Sequence, residues 1–185
     1  MTALPRFESS RIASPQTMQV VHLFISPGHN YLGHHGQPPG EHPIVEVPSI
    51  RCVEGRGLEG DRYFDHREDF KGQITFFAWE VYRELSVRFG RADLTPAVFR
   101  RNVIVRGVDL NALVGTEFEL QGVRFVGAEQ CKPCYWMDRA FGPGVEAALE
   151  GKGGLRARIL SSGELRNPSY PAASTSSEVG ARGEA

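Results

Sequence analysis

Cys131 and Cys134 stand three residues apart in the stretch Glu129-Gln130-Cys131-Lys132-Pro133-Cys134-Tyr135-Trp136-Met137-Asp138. A lysine and a proline separate them, and aromatics follow at once. A thiol so placed has four chemistries open to it: nucleophile, half of a redox pair, metal ligand, or small core residue. As a redox dithiol the spacing fits, and Lys132 supplies the positive neighbour that a thiolate needs. That use wants a helix launched from the second cysteine within a βαβ unit, whereas Tyr135 to Ala140 runs into Gly142-Pro143 after little more than one turn. As half of a zinc site, the pair lacks a second Cys-x-x-Cys, and the histidines lie far upstream. Two buried thiols that only fill space remain an open reading, since free cysteine is among the most buried residue types.

Basic side chains narrow the choice. Arg100 and Arg101 directly precede an apolar run, and Arg156 and Arg158 share one face of a late strand whose other face carries Leu155, Ala157 and Ile159. Four guanidiniums near the turn glycines Gly151, Gly153 and Gly154 suit a phosphate or a polar heterocycle held by bidentate bonds. Any one of them alone also reads as part of a solvated face. Asp61 follows three glycines in six residues (Gly55, Gly57, Gly60), where a carboxylate acts as ligand or base, or closes the turn on nearby amides. His29, His34, His35 and His42 fall in a Gly- and Pro-rich loop over 27–43, open to a transition metal or simply exposed.

These groups must be carried by elements, and the pattern is mostly β. Gln19–Ile25 reads as a buried first strand stopped by Ser26-Pro27-Gly28, and 44–53 alternates again, broken by Pro48. The segment 76–89 places Phe77, Val81, Leu85 and Phe89 at helical spacing, with Gly90 as a stop. Residues 102–106 form a short strand and 109–113 a helical turn. Residues 116–120 and 123–126, joined by Gln121-Gly122, make a hairpin with Phe118 and Leu120 opposite Val123 and Phe125. A short helix over 144–150 and a strand over 155–160 complete the reading. The sum is a mostly β fold with flanking helices, an antiparallel barrel-like sheet rather than a doubly wound one.

The 185 residues fit one domain over 18–166, between a loose arm at 1–17 and a tail at 167–185 with the composition of disorder. With 21 Lys and Arg against 22 Asp and Glu, the total charge argues for neither a nucleic-acid nor a membrane partner. No apolar run approaches the ~20 residues of a membrane span. Three cysteines do not make a disulfide framework, and no secretory leader is evident, so a reduced, cytoplasmic protein is expected.

Taken in order, Gly57-Leu58-Glu59-Gly60-Asp61-Arg62, Gln73, Glu80, Arg101-Asn102-Val103-Ile104, Gly107-Val108-Asp109-Leu110, Leu113, Gly115 and finally Pro133-Cys134 resemble the MOSC domain, the C-terminal domain of molybdenum cofactor sulfurases. The resemblance covers about residues 18 to 165. It implies a β-barrel-like unit that binds the molybdenum cofactor (Mo-molybdopterin), with Cys134 as metal ligand or sulfur carrier and Cys131 as a resolving or supporting thiol. Arg101, Asn102, Gly60 and Asp61 fall in the family motif; Arg156, Arg158 and Lys132 join them from charge and strand phase. Two uses follow. One is reduction of N-hydroxylated compounds with electrons from a separate electron-transfer protein. The other is non-catalytic carriage of sulfur or molybdopterin between a donor and an acceptor enzyme. No pyridoxal phosphate is expected in this chain, because no desulfurase module precedes the motif. The Gly-Asp that often closes the pattern is replaced by Gly163-Glu164-Leu165.

Overall fold

A computed structural model describes residues 18–170; the expected arm at 1–17 and the part of the expected tail from 171 onward lie outside the described residues. Ten strands run in chain order: β1 (Gln19–Ile25), β2 (Val45–Glu46), β3 (Ser49–Val53), β4 (Gly57–Leu58), β5 (Ile74–Ala78), β6 (Val103–Arg106), β7 (Glu117–Leu120), β8 (Val123–Gln130), β9 (Leu155–Ile159) and β10 (Gly163–Arg166). The helices are α1 (Trp79–Arg88), α2 (Trp136–Ala140) and α3 (Val145–Ala148), with 3-10 turns at Pro96–Phe99 and Leu110–Leu113.

Seven strands join in the order β2-β1-β6-β5-β9-β8-β7, and β10-β3-β4 form a second, smaller sheet. Every pairing is antiparallel except β5 with β6. The large sheet curls into a half-barrel and the small one caps its concave side. Ile50, Cys52, Leu58 and Leu165 from the small sheet meet Val20, Phe76, Val103, Phe125 and Ala157 from the large one in a single core. The convex side is covered by α1, α2, α3 and the turn at Pro96–Phe99, where Phe77, Leu85, Phe99, Ile104, Trp136 and Phe141 form a second core. Each fully buried Phe contributes about 1.5–3 kcal/mol through transfer from water.

The parallel β5–β6 pair explains where the helix expected over 76–89 departs from the structure. Its first three residues belong to β5, and α1 starts only at Trp79. Phe76 faces the inner core and Phe77 the outer one, so both faces of the strand are covered and alternation disappears from the sequence. The predicted hairpin stands with Phe118 opposite Phe125 and Leu120 opposite Val123. Strand β10 was not anticipated, and the chain stays packed just past it. Asn167 is buried, its amide donating to the Pro48 carbonyl at 2.9 Å, so at this residue the expected tail is ordered.

Candidate functional site

The site is built on a hydrogen-bonded knot beneath one end of the half-barrel. Gly60, in the left-handed region at φ +80°, turns the chain after β4 and sends Asp61 inward. The Asp61 carboxylate, 7% exposed, accepts from the Ser26 amide at 3.1 Å, the Asn102 side-chain amide at 3.1 Å and the Tyr63 amide at 3.2 Å. Asn102 extends the knot. Its carbonyl oxygen Oδ1 accepts from the Thr75 amide (3.1 Å) and hydroxyl (2.8 Å), while Nδ2 also donates to the Phe24 carbonyl at 3.3 Å. One side chain thereby joins the end of β1 to the start of β5. Asp61 and Asn102 therefore position the site from below; neither lines it. Among the other motif residues, Gln73 donates to the Gly55 carbonyl and accepts from the Ile159 amide, and Glu80 accepts from the Gly107 amide.

Above the knot lies a cleft of about 180 Å³ that includes His29, Tyr31, Arg62, Arg100, Arg101, Lys132, Cys134 and Arg156 in its lining, over an apolar floor of Phe99, Trp136 and Met137. Cys134 is exposed in it. Arg100 is the buried cation of the set, at 6% exposure. The turn at Pro96–Phe99 ends on it in a left-handed conformation, φ +53°, a strain of about 1–3 kcal/mol for a residue with a Cβ. That turn aims the guanidinium inward: Nη2 donates to Ser26 Oγ at 3.0 Å and to the Gly28 carbonyl at 2.8 Å, and the group lies 5.5 Å from the centre of the Tyr31 ring. Nη1 is buried without a partner. Burial, and then the nearby Arg62 charge, pull the Arg100 guanidinium below its ordinary pKa. An anion placed there would offset both effects.

Arg62 crosses beside it, 3.4 Å from both Asp61 Oδ2 and the Arg100 carbonyl. Arg101 is held along the wall by bonds to the Gly153 carbonyl at 3.1 Å and the Phe99 carbonyl at 3.0 Å. Arg156 bonds Glu129 at 3.0 Å, a carboxylate that Lys71 also approaches at 3.4 Å. The loop over 27–43 closes the remaining side. Tyr31 stacks on Trp136 at 4.6 Å, and Asn30 bonds both the amide and the carbonyl of His42, each at 2.9 Å.

Cys134, Lys132, Arg101 and Arg156 are thus brought together as the sequence suggested, but two other candidates are placed elsewhere. Cys131 is 2% exposed and does not line the cleft. Its amide donates to the Gly154 carbonyl at 2.7 Å, and its carbonyl lies so close to Gly153 that a Cβ there would sit 1.9 Å away. Arg158 pairs with Asp69 at 2.6 Å in a separate depression beside Glu54 and Leu160. Two residues along a strand is a step of roughly 7 Å, enough to carry it past the mouth of the cleft. Arg62 and His29 were not singled out for the site, and Arg100 was weighed only with the other arginines. Among the described residues, no three His, Cys, Asp or Glu side chains converge to hold a metal ion by themselves, and no helix is long and apolar enough to cross a membrane.

The family model described as MOSC domain matches residues 34–167. No curated protein matches the chain. Among solved structures, the YuaD protein from Bacillus subtilis aligns with a TM-score of 0.63 at 17% identity, over 81% of this chain and 91% of that one. YiiM from Geobacillus stearothermophilus aligns at 0.59 and 16%, over 81% and 71%. YiiM from Escherichia coli aligns at 0.54 and 17%, over 79% and 66%. These likenesses show a shared fold. The match over residues 34–167 goes further: the chain belongs to the MOSC domain family.

Proposed function

We propose, from this family membership and from the chemistry of the cleft, that the chain binds the molybdenum cofactor at Cys134 and serves the reduction of N-hydroxylated compounds. Electrons would come from a separate electron-transfer protein. The observation that carries the reading is an exposed thiol in a cleft with five cationic side chains, one of which, Arg100, has a buried guanidinium nitrogen with no partner. The residues fit such a ligand. Arg100 and Arg62 would take the cofactor's phosphate, whose charge meets their mutual repulsion and their desolvation at once. Cys134 would supply one soft ligand to the metal beside those of the pterin dithiolene.

When bound, the cofactor supplies a metal centre that cycles through two electrons. The chain's own residues do the rest. Arg101 and Arg156 hold the wall, the Tyr31–Trp136 stack shields one side from water, and the Asp61–Asn102 knot keeps the loops that carry Arg62 and Arg100 in register. Fixing these groups before binding limits the ordering cost at the moment of binding.

The carrier reading drew its support from Cys131 as a resolving thiol. With Cys131 buried behind the Gly153–Gly154 backbone, the cleft offers one thiol, which suits ligation better than persulfide exchange. The test is metal content. Protein expressed in a cofactor-competent host is expected to co-purify with molybdenum, and Cys134→Ser to lose it by about tenfold or more. Equal, negligible metal in both proteins would remove the reading.

A further inference from the structure

We propose that His29 is the proton donor of this cleft, protonating the oxygen that leaves as the N–O bond of a bound N-hydroxylated substrate breaks. The inference rests on the reductive reading above. The reaction balances as R–NH–OH + 2 e⁻ + 2 H⁺ → R–NH₂ + H₂O. The N–O bond takes up both electrons, the nitrogen gains one proton and the departing oxygen gains the other to leave as water. In an assay the electrons come from a low-potential one-electron reductant such as a reduced viologen. A hydroxide is a poor leaving group, so the proton on oxygen matters most for the rate.

The lining of the cleft leaves one side chain suited to that task. Guanidinium, ammonium and phenol groups as a class are too weakly acidic to give up a proton readily near neutral pH, and burial pushes the Tyr31 hydroxyl up further. Asn30, Leu32, Phe99, Trp136 and Met137 do not titrate, and Cys134 is assigned to ligation. An imidazole changes charge in the working range. His29 is also fixed in place. Its ring meets Tyr63 edge-on at 4.9 Å, and the Tyr63 amide is held by Asp61. The next residue, Asn30, is pinned by two bonds to His42, and the Gly40 amide donates to the Asn30 carbonyl at 2.8 Å.

The charges facing His29 are those of Arg62, His66 and Arg100, opposed by Asp61. Burial first, and then these cations, lower its pKa from the ordinary histidine value of 6.5. A lowered pKa makes the imidazolium a stronger acid and confines its occupancy to the acidic side. Turnover that depends on a proton from His29 is therefore present at low pH and declines as pH rises through the window below 6.5.

The test compares molybdenum-loaded wild type with His29→Gln and His29→Asn, using a hydroxylamine substrate and reduced viologen. Both variants are expected to keep wild-type molybdenum, to lose about 10²- to 10⁴-fold in kcat, and to lose the decline in rate as pH rises through the window below 6.5. Independently of turnover, the His29 ring proton in the metal-free protein is expected to titrate below 6.5 by NMR. Variants with wild-type rate and profile would overturn the proposal, as would a His29 midpoint at or above 6.5. Loss of metal or fold in both variants would make His29 structural and overturn it equally. A loaded wild type that reduces nothing would instead defeat the reductive reading itself.

Discussion

Two hollows meet the loop from Gly151 to Gly154, one lined by Gly151, Lys152 and Gly154 and the other joined to it through Arg101, which bonds the Gly153 carbonyl, and they differ in the opposite sense from what size suggests. The larger, about 450 Å³, is walled by Ala78, Val81, Val108 and Leu110. Its polar groups already have partners: Glu84 holds Lys152 at 3.0 Å, Glu80 accepts from the Gly107 amide, and Asp109 accepts from the Asn111 amide at 2.9 Å. The smaller, about 180 Å³, gathers a thiol and five cations and contains an orphaned guanidinium nitrogen. Volume records where packing left space. An unmet buried charge records what the space is for, because leaving such a group bare costs far more than leaving a methyl group dry.

The largest test of this contrast removes the knot under the smaller hollow. Asp61→Ala leaves the Ser26 and Tyr63 amides, the Asn102 side chain and Arg62 without their common acceptor, in a place only 7% exposed. The expected loss is about 3–5 kcal/mol in denaturant unfolding, the range for breaking a buried charged network by removing one partner. A loss under about 1 kcal/mol would mean that water replaces the carboxylate, and that the cleft is not preorganised from below.

Arg100→Met is expected to act on the ligand as well as on the fold. It replaces a desolvated cation by an unbranched apolar chain of similar reach and takes one donor from Ser26 Oγ and the Gly28 carbonyl, which still bond each other, so its cost in stability is about 1–3 kcal/mol. Affinity for inorganic phosphate, measured by titration calorimetry, is expected to fall about 10- to 100-fold, as for loss of charge-assisted hydrogen bonds. Unchanged affinity would break the link between the orphaned nitrogen and an anion.

Much of this was legible in the chain, and the exceptions have physical causes. Strand β9 declares itself because its arginine face is wet and the β7–β8 hairpin because its turn is Gln121-Gly122, whereas β1 and β6, covered on both faces, read as short apolar runs stopped at Ser26-Pro27-Gly28 and Gly107. Strand β5 hides because Phe76 and Phe77 enter different cores, so its apolar run merges with the helix that follows. Strand β10 hides because Leu165 is its one core residue, between Glu164 and Arg166. In the site, sequence proximity finds Cys134 and the arginines as a group but cannot order them. Arg100 and Arg101 are neighbours, and only the left-handed turn at Arg100 decides which guanidinium is buried. Arg156 and Arg158 share a strand face, yet one residue pair of travel separates the cleft from the depression at Asp69. The family motif is legible for a different reason: four of its polar residues, Asp61, Gln73, Glu80 and Asn102, are framework whose side chains hold backbone.

The smallest expected effect sharpens the comparison from the other side. Lys152 lies on that loop, and its ion pair with Glu84 is 44% and 49% exposed at the two side chains. Exposed pairs of this kind contribute about 0–1 kcal/mol. Lys152→Ala should therefore change unfolding free energy by less than about 1 kcal/mol and leave phosphate affinity at the wild-type value. Its neighbour Gly153 is the residue that touches the Cys131 carbonyl and accepts from Arg101, so the loop is tied to the cleft through its backbone and not through the lysine. A fall in phosphate affinity in Lys152→Ala comparable to that of Arg100→Met would show that the two hollows act as one site, and the distinction drawn from their unmet charges would fail.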